Sequence, residues 1–357
     1  MAQTHERPSN DARFLITGAK GFIGAWIVKN LVERGDHPCV FDTDTESHRL
    51  RALLTDEQTE RLCFIRGDVV RFEDLDRAVA EHGVTHIIHG AALQVPACAA
   101  DPVRGAEVNV LGTLNVFEVA RRRRDLVKRI VYASSAAVFG PEEFYGSSTV
   151  PEGALLLPGT HYGVFKQCNE GNARVYFASD GISSVGLRPW AVYGVGRDQG
   201  VTSGPTKAIK ATVVGRPYTI RFTGGLDLQY VDDTAKIALR CAESDLPGAR
   251  VYTLRGSVVH MEHYIAELER ISRRARGPQG EIPHGGIPHG GGSLQGERMI
   301  RAEGKPLPIA YDLDDSALVR DLGEAPRTPL ERGIRETIEI FERLHRAGRL
   351  DTRDLEE

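Results

Sequence analysis

Short apolar runs alternate with longer segments of mixed polarity along the first half of the chain. The apolar runs have the length of buried strands, and the segments between them repeat apolar positions at helical spacing. This alternation predicts a doubly wound α/β fold with a parallel central sheet. Strands are predicted over residues 13–17, 38–42, 62–65, 85–89, 129–135 and 182–187, and helices over 25–34, 73–82, 101–124 and a segment that contains Tyr162 and ends near residue 179.

The second half of the chain predicts a smaller α/β domain interleaved with the first. Helices are expected over residues 201–215 and 261–272, and a strand over 218–222. We expect residues 13–190 to form mainly the first domain and 191–347 mainly the second, with some segments returning to the first. The polar residues 1–12 predict a disordered tail, and the charged residues 348–357 predict a frayed one.

A glycine-rich segment interrupts the second domain at residues 276–305. It contains a tandem Ile-Pro-His-Gly-Gly that begins at Ile282 and again at Ile287. Proline and glycine disfavour regular structure, so the segment is predicted to be a mobile flap. His284 and His289 within it are a weaker candidate for a metal site, and no metal is expected.

Composition and charge narrow the possible partners. The chain has 357 residues, more than one hydrophobic core usually supports, and a formal net charge of −4, which gives no general footprint for nucleic acid or an anionic membrane. No signal peptide or membrane-spanning run is apparent. The five cysteines are scattered without metal-ligand spacing. Together these features predict a cytoplasmic protein with free thiols.

A glycine pattern follows the first predicted strand directly. Gly18, Gly21 and Gly24 lie between that strand and a predicted helix. In this context the glycines allow a tight turn, close approach of the backbone to a pyrophosphate, and close packing of helix on strand. The pattern predicts a dinucleotide-binding Rossmann domain.

The second predicted strand ends in Asp42, close to the position at which an acidic residue binds ribose hydroxyls. A carboxylate there repels a 2′-phosphate, so NAD is expected rather than NADP. The alternatives are that Asp42 only opens a loop, or that Asp44 takes this role.

Tyr162 and Lys166 are four residues apart on a predicted helix and therefore share one face. An ammonium beside a phenol favours the phenolate, which lowers the pKa of the phenol. Such a phenol can take the proton of a substrate hydroxyl while a nicotinamide takes the hydride. Ser135, at the end of a predicted strand, can hold the substrate oxygen. For the tyrosine and lysine alone, surface packing of an amphipathic helix is the more ordinary explanation.

With these motifs in place, the chain resembles the extended short-chain dehydrogenase/reductases of the NAD-dependent epimerase/dehydratase group, over roughly residues 12–347. The matching segments also include Arg188-Pro189, Val192-Tyr-Gly194 and Tyr230-Val-Asp-Asp233. The resemblance implies that Ser135, Tyr162 and Lys166 are catalytic and that relatives pair through two long helices, here 101–124 and the helix of Tyr162. It also implies a set of NAD-binding residues: Gly18, Gly21, Phe22, Ile23, Gly24, Asp42, Asp68, Val69, Ala91, Ala92, Asn109, Tyr162, Lys166 and Pro189.

Departures from the family pattern bear on the substrate. Ala136 and Ala137 stand where the dehydratases of the group carry an acidic pair, so net dehydration is not expected. Ala191 and Leu226 stand where nucleotide-sugar epimerases carry an asparagine and an arginine that bind the diphosphate. These losses favour a small substrate without a nucleotide, although Arg197 or Arg221 could replace the missing donors.

Several residues are candidates for contacting such a substrate. Arg197 could hold a substrate carboxylate or could form an ion pair with its neighbour Asp198. Trp190 and Tyr193 are expected to add aromatic surface near the nicotinamide. The predicted substrate-binding set is Gln94, Ser135, Trp190, Ala191 and Arg197.

The sequence thus predicts a homodimeric NAD-dependent oxidoreductase or epimerase that moves a hydride at a secondary hydroxyl of a sugar, polyol or sugar acid. One alternative is a nucleotide-sugar 4-epimerase acting on UDP-sugars. The other is a non-catalytic NAD-binding regulator, whose usual mark is the loss of the tyrosine or the lysine, both of which are present here.

Overall fold

The computed structural model describes residues 12–44, 47–146, 149–275 and 299–356. Within them the chain alternates strands and helices through its first half, as the apolar pattern predicts. The strands are β1 (Phe14–Thr17), β2 (Cys39–Asp42), β3 (Cys63–Arg66), β4 (His86–His89), β5 (Arg129–Ala133), β6 (Ser184–Arg188), β7 (Ala191–Tyr193), β8 (Tyr218–Ile220), β9 (Gly225–Tyr230), β10 (Ala249–Thr253), β11 (Ser257–His260) and β12 (Ile300–Ala302).

Helices cover both faces of the sheet and the carboxyl-terminal part of the chain. No helix among the described residues is both long and apolar enough to cross a bilayer. The helices are α1 (Phe22–Glu33), α2 (His48–Leu53), α3 (Asp56–Glu60), α4 (Phe72–His82), α5 (Val95–Ala100), α6 (Pro102–Ala106), α7 (Gly112–Arg122), α8 (His161–Asp180), α9 (Gly204–Val214), α10 (Val231–Glu243), α11 (Met261–Ala275), α12 (Ser316–Leu322) and α13 (Leu330–Arg346).

The central sheet has seven parallel strands in the order β10-β6-β5-β4-β1-β2-β3. Strands buried on both faces are continuous apolar runs, and β1 is fully buried over Phe-Leu-Ile-Thr. The strand order reverses between β1 and β4, which is the crevice where a doubly wound sheet binds its ligands. The predicted doubly wound, Rossmann-type sheet is therefore confirmed.

The remaining strands form two small sheets beside the central one. β9 pairs with β7 in parallel and with β11 in antiparallel fashion, and β12 pairs with β8 in parallel. One continuous apolar core contains residues of β6 in the central sheet, of α1 beside that sheet, and of α9, α10, α11 and α13. The second half of the chain therefore packs on the sheet over one shared core.

Helix α8 carries Tyr162 and Lys166 and is fixed at both ends. Thr160 caps its first turn, where its hydroxyl accepts the Gly163 N–H at 3.1 Å. Gly181 ends it in the left-handed conformation with a φ of 70°. The helix thus contains Tyr162 and Lys166 and ends at Asp180, in agreement with the predicted end near residue 179.

A buried ion pair ties the middle of α8 to the sheet. Arg188, the last residue of β6, donates from Nε and Nη2 to the Glu170 carboxylate at 2.7 and 2.6 Å. Ser134, directly after β5, donates to the same carboxylate at 2.6 Å. The Glu170 side chain is 0% exposed. A fully enclosed carboxylate is stable only with such partners, so these contacts fix the helix against the ends of two strands.

The predicted helix over residues 101–124 is interrupted. Asp101 caps α6, and a π-helical turn at Glu107–Leu111 separates α6 from α7, which ends at Arg122. The carbonyl of Asn109, within this turn, accepts bonds from the Thr113 hydroxyl and from the Asn169 amide, both at 2.8 Å. These side-chain bonds accompany the wider turn, which a periodic pattern does not predict.

The predicted flap and tails can be compared with the structure only in part. Most of the predicted flap, residues 276–298, and the predicted disordered tail up to residue 11 lie outside the described residues. The end of the flap, by contrast, forms β12. The predicted frayed tail, residues 348–357, packs on the second domain instead. Its Asp354 carboxylate and Asp351 carbonyl accept hydrogen bonds from buried Lys210 of α9, at 2.8 and 3.1 Å.

The ion pair of α8 gives a stability prediction. Glu170→Ala leaves the Arg188 guanidinium buried without its carboxylate, so the free energy of unfolding should fall by about 3–5 kcal/mol. Urea denaturation followed by circular dichroism measures the change. The control is Glu342→Ala, which removes a loose surface pair with Arg346 at 3.9 Å and should change stability by less than about 0.5 kcal/mol. Equal losses in the two variants would contradict the anchoring role of Glu170.

Candidate active site

Most predicted site residues lie at the carboxyl ends of β1, β2, β4, β5 and β6. Parallel strands bring these ends to one edge of the sheet, so residues far apart in sequence become neighbours. The glycine pattern follows β1, Ala91 and Ala92 follow β4, Ser135 follows β5, and Pro189 follows β6. The sheet therefore brings together the residues that the sequence assigned to one site.

The glycine turn is packed too tightly for side chains. Gly18 has a φ of 66°, and a Cβ there would lie 2.6 Å from the Ala91 nitrogen. A Cβ on Gly24 would lie 2.3 Å from the Gly18 carbonyl oxygen. Phe22 and Ile23 then open α1 beyond the turn. This bare backbone at a helix N-terminus is the cradle that a dinucleotide pyrophosphate requires.

Asp42 lies beside this cradle at the end of β2. Its carboxylate accepts the Lys20 N–H at 3.1 Å and the Thr43 N–H at 2.9 Å. A cavity of about 650 Å³ is lined by its partner Lys20, and the lining includes the cations Arg51 and Arg66 and the acidic residues Asp44, Asp56 and Glu60. Asp42 is therefore held where the sequence requires an acceptor for ribose hydroxyls, beside a cavity that carries charges of both signs.

Asp68 and Val69 continue the cofactor side of the site after β3. Asp68 accepts the Val70 N–H at 3.0 Å and lies 3.6 Å from Arg104 of α6. Val69 is 5% exposed, and a side chain on Gly112 would collide with it at 2.7 Å. Asp68 keeps part of its side chain accessible, whereas Val69 is largely a packing residue.

The side chain of Asn109, which was predicted to bind the cofactor, forms hydrogen bonds within the protein instead. Its side chain is 1% exposed and is fully used by the loop after β4. Its Oδ1 accepts the Leu93 N–H at 2.8 Å, and its Nδ2 donates to the Leu93 carbonyl at 3.0 Å. Asn109 thus shapes the loop that ends at Gln94 and has no free amide group to offer a cofactor.

Ser135, Tyr162 and Lys166 come together in the order that proton transfer needs. The Ser135 hydroxyl forms a hydrogen bond with the Tyr162 phenol. It also accepts the Ala137 N–H at 3.1 Å, which fixes its direction. Lys166 is 3% exposed, and its ammonium lies 5.4 Å from the centre of the Tyr162 ring. The three side chains therefore form one hydroxyl–phenol–ammonium group.

The source of the phenol's electrostatics differs from the prediction. Burial raises the pKa of Tyr162, and the influences that lower it are the Ser135 hydrogen bond and the charge of Arg197. The Lys166 ammonium donates at 2.6 Å to the Ala133 carbonyl, away from the phenol oxygen. Burial lowers the pKa of Lys166 itself to about 8. The expectation that Lys166 lowers the phenol pKa in this structure is therefore wrong.

His89 is a packing residue at this edge of the sheet. It is 3% exposed and lies between the hydroxyls of Thr17 at 2.7 Å and Thr113 at 3.1 Å. Burial lowers the pKa of His89 to about 3, so the ring is neutral at physiological pH. With both ring nitrogens engaged, it has no proton to exchange with a substrate.

The predicted substrate residues fall into two groups. Gln94 and Arg197 lie on loops that meet at Gly200. Ala191 is 1% exposed and Tyr193 is 1% exposed, and both pack in the core. Trp190 is partly buried and donates from Nε1 to the Ala310 carbonyl at 2.9 Å. Ala191 and Tyr193 therefore cannot offer the surface expected of them, because β7 directs both side chains into the interior.

One residue of the site gave no signal in the sequence. Arg49 donates to the Lys20 carbonyl at 3.2 Å, to the Gly196 carbonyl at 3.0 Å and to Asp198 at 2.6 Å. It joins the glycine turn to the loop after β7. In the sequence it is an ordinary arginine of a short polar helix, and its partners after β7 are distant along the chain, so no local pattern identifies it.

Three residues that are scattered in the sequence meet at the opposite, amino-terminal end of the sheet. Cys39 and Cys63 are register partners on β2 and β3, and with His82 their ligand atoms lie within 4.8 Å of one another. Both thiols are free. Burial raises the pKa of Cys39 to about 12, which disfavours the thiolate that a metal needs. The group therefore carries no metal assignment.

Comparisons with known proteins find relatives that align with most of this chain. The chain is 28% identical over 334 residues to the UDP-glucose 4-epimerase of Mycolicibacterium smegmatis, which covers 92% of this chain and 98% of that protein. The Thermus thermophilus UDP-glucose 4-epimerase in complex with NAD superposes with a TM-score of 0.72 at 25% identity, over 92% of this chain and 98% of the other. A partial-consensus L-threonine 3-dehydrogenase superposes with a TM-score of 0.75 at 24% identity, over 93% and 99%.

A family model settles the classification. The model described as NAD dependent epimerase/dehydratase family matches residues 14–254, which include the glycine turn, Ser135, Tyr162 and Lys166. The neighbours with NAD bound share this fold. The chain is an enzyme of the extended short-chain dehydrogenase/reductase type that uses NAD, and it belongs to the NAD-dependent epimerase/dehydratase family.

Proposed function

We propose that the protein transfers a hydride at a secondary hydroxyl of a small carbohydrate-like substrate that carries no nucleotide. The observation that carries this proposal is the placement of Leu226 and Ala191, the positions where nucleotide-sugar epimerases have diphosphate ligands. Leu226 is 0% exposed and Ala191 is 1% exposed, and both belong to the apolar core. Neither position can donate a hydrogen bond to a dianion, and desolvating a dianion without donors is costly.

The chain's own residues supply the proton chemistry. NAD, when bound, supplies the hydride acceptor and a positively charged ring. Ser135 holds the substrate hydroxyl, and Tyr162, in its phenolate form, takes the proton of that hydroxyl as the hydride leaves the same carbon. The ammonium of buried Lys166 lies 5.4 Å from the centre of the phenol ring. The group is suited to reversible oxidation of a carbinol.

Dehydration requires further proton donors that this site does not have. Ala136 is 2% exposed and Ala137 is 7% exposed, and both follow Ser135 in a short turn of helix. A methyl group cannot transfer a proton. Their placement supports oxidation or epimerisation rather than loss of water.

A nucleotide-sugar 4-epimerase is the second candidate, and the relatives favour it. Those that cover most of this chain include UDP-glucose 4-epimerase. A structural neighbour named L-threonine 3-dehydrogenase, however, acts by its name on a small substrate without a nucleotide. The fold therefore serves both substrate sizes, and the lining of the site decides between them.

We also propose a homodimer formed by α6, α7 and α8. Five of the large apolar side chains that are most exposed in the described structure lie on these helices and the turn between them. They are Val103, Leu111, Val164, Val175 and Phe177. Large apolar side chains that are exposed in this way are better covered than left in water. Light scattering at micromolar concentration tests this assembly, and a monomer mass would exclude it.

Replacing the catalytic phenol separates an enzyme from a non-catalytic NAD-binding regulator. Tyr162→Phe keeps the ring but removes the transferable proton, so turnover should fall about a hundredfold or more. NAD binding, measured by fluorescence quenching, should be nearly unchanged. The matched control is Tyr176→Phe on the same helix, where the hydroxyl meets Glu118 at 2.8 Å outside the site and activity should persist. Equal activity in the two variants would exclude the assignment.

The cofactor preference should depend on Asp42. Its charge should repel the 2′-phosphate of NADP by about 1–4 kcal/mol, so NAD should bind at least about fivefold more tightly. In Asp42→Ala the cations Lys20, Arg51 and Arg66 remain, so the affinity for NADP should rise. Titration calorimetry with both cofactors measures the ratio, and Asp44→Ala is the control. Relaxation only in the control variant would transfer the role to Asp44.

The size of the substrate gives a further prediction. UDP and UDP-sugars should bind the NAD-loaded protein only in the millimolar range, near −4 kcal/mol, because the core positions 191 and 226 offer no donors. Free sugars, polyols or sugar acids should be better ligands. Calorimetry with UDP measures this directly. A low-micromolar dissociation constant would restore the nucleotide-sugar epimerase.

A further inference from the structure

Asp198, the expected acidic partner of Arg197, forms its hydrogen bonds with other residues. Asp198 receives Arg49 Nη2 at 2.6 Å and His48 Nε2 at 3.3 Å, one on each carboxylate oxygen. Burial alone would raise the pKa of Asp198, but the hydrogen bonds from His48 and Arg49 lower it to about 2. The ion pair between neighbours that the sequence allowed is therefore not formed.

Arg197 is partly buried and forms no ion pair with the described residues, although the charge of Asp198 still acts on it and opposes the lowering of the Arg197 pKa by burial. Its Nη2 donates to the Thr202 hydroxyl at 2.8 Å, and its guanidinium stacks 5.8 Å from the centre of the Phe22 ring. Its Nε is buried and finds no acceptor in the part of the chain that the structure describes. An enclosed donor with no acceptor is costly, so a group that is built this way gains by meeting an anion.

The loop that carries Arg197 is shaped to present it. Gly200 has a φ of 92°, and a Cβ there would lie 1.9 Å from Gln94 Oε1 and 3.3 Å from Arg197 Nη2. Only glycine lets the Gln94 amide and the Arg197 guanidinium approach this turn together. Gln94, Arg197, Gly200 and Thr202 are thus one cluster, which we call the Arg197 cluster.

We propose that the Arg197 cluster binds a carboxylate of the substrate, so that the substrate class is a compact hydroxy acid. This inference rests on the proposed function, because it concerns the same hydride-transfer site. A guanidinium presents two parallel N–H groups that match the two oxygens of a carboxylate. Gln94 adds an amide that can bind a neighbouring hydroxyl.

The position of Arg197 relative to the catalytic phenol supports a compact acid. Its charge acts on Tyr162: after the Ser135 hydrogen bond, it is the next influence that lowers the pKa of the phenol, which burial raises. The Arg197 guanidinium is therefore close enough to the catalytic phenol for its charge to act there. A diphosphate needs more donors than one guanidinium and an amide provide, and the family positions for them are apolar here.

The test compares matched ligand pairs. The panel holds four- to six-carbon aldonates, with the corresponding alditols and aldonamides as neutral partners, assayed by NADH absorbance and by thermal stabilisation of the NADH-loaded protein. Wild type should prefer aldonates at least about tenfold, since a hydrogen bond to a charged group contributes a factor of about 10–100.

Two variants locate the preference. Arg197→Gln should lower kcat/KM for aldonates about 10- to 100-fold and remove their thermal stabilisation, while kcat/KM for neutral ligands, compared at the pH optimum of each variant, changes little. The control is Arg221→Gln, an exposed guanidinium 3.9 Å from Glu303, which should behave as wild type.

A merely structural role would not raise the pH of half-maximal activity on neutral substrates. Arg197→Gln should raise it, because the phenol loses a charge that lowers its pKa.

Each contrary outcome has a separate meaning. Equal use of aldonates and neutral partners, unchanged in Arg197→Gln, overturns the carboxylate site but leaves the proposed function in place. A weaker NAD affinity in Arg197→Gln without a change in substrate preference assigns the guanidinium to the cofactor pyrophosphate and also overturns it. Failure of all panel members to bind or react, with low-micromolar binding of UDP, overturns both the carboxylate site and the proposed function.

Discussion

The site depends on the enclosed ion pair between Glu170 and Arg188. Ser134 and Arg188 stand at the ends of two adjacent parallel strands, and both reach one carboxylate on α8. One turn earlier on that helix is Lys166, and Ser135 directly follows Ser134. A single carboxylate therefore links the helix that carries Tyr162 and Lys166 to the strand end that precedes Ser135, and loss of either partner would leave a buried charge or polar group unpaired.

Much of the fold could be predicted because its signals are local. Parallel strands buried on both faces are plain apolar runs, and the glycine turn lies within a few residues of its strand. The pattern could not show which way side chains face in a short strand, so Ala191 and Tyr193 were placed on the cleft rather than in the core. It also could not show that the amide of Asn109 is used up by its own loop.

The pKa values of the site residues were harder to predict from the sequence, because they depend on residues that are distant along the chain. The pKa of Tyr162 depends on burial and on Arg197, which a different loop brings to it, whereas the sequence suggested only the neighbour four residues along the helix. Arg49 has a similar character, since one guanidinium joins the cofactor turn at Lys20 to the loop of Gly196.

The position of β10 in the central sheet limits how this protein can be divided. β10 lies at the edge of that sheet, paired with β6 over five residues, yet in the chain it follows β7, β8 and β9 of the small sheets. The central sheet can therefore be completed only after β7, β8 and β9 of the small sheets have been synthesised. The chain cannot be cut between β6 and β7 without removing a strand from the central sheet. Substrate specificity can therefore be exchanged between relatives by replacing loops, whereas the order of the strands has to be kept.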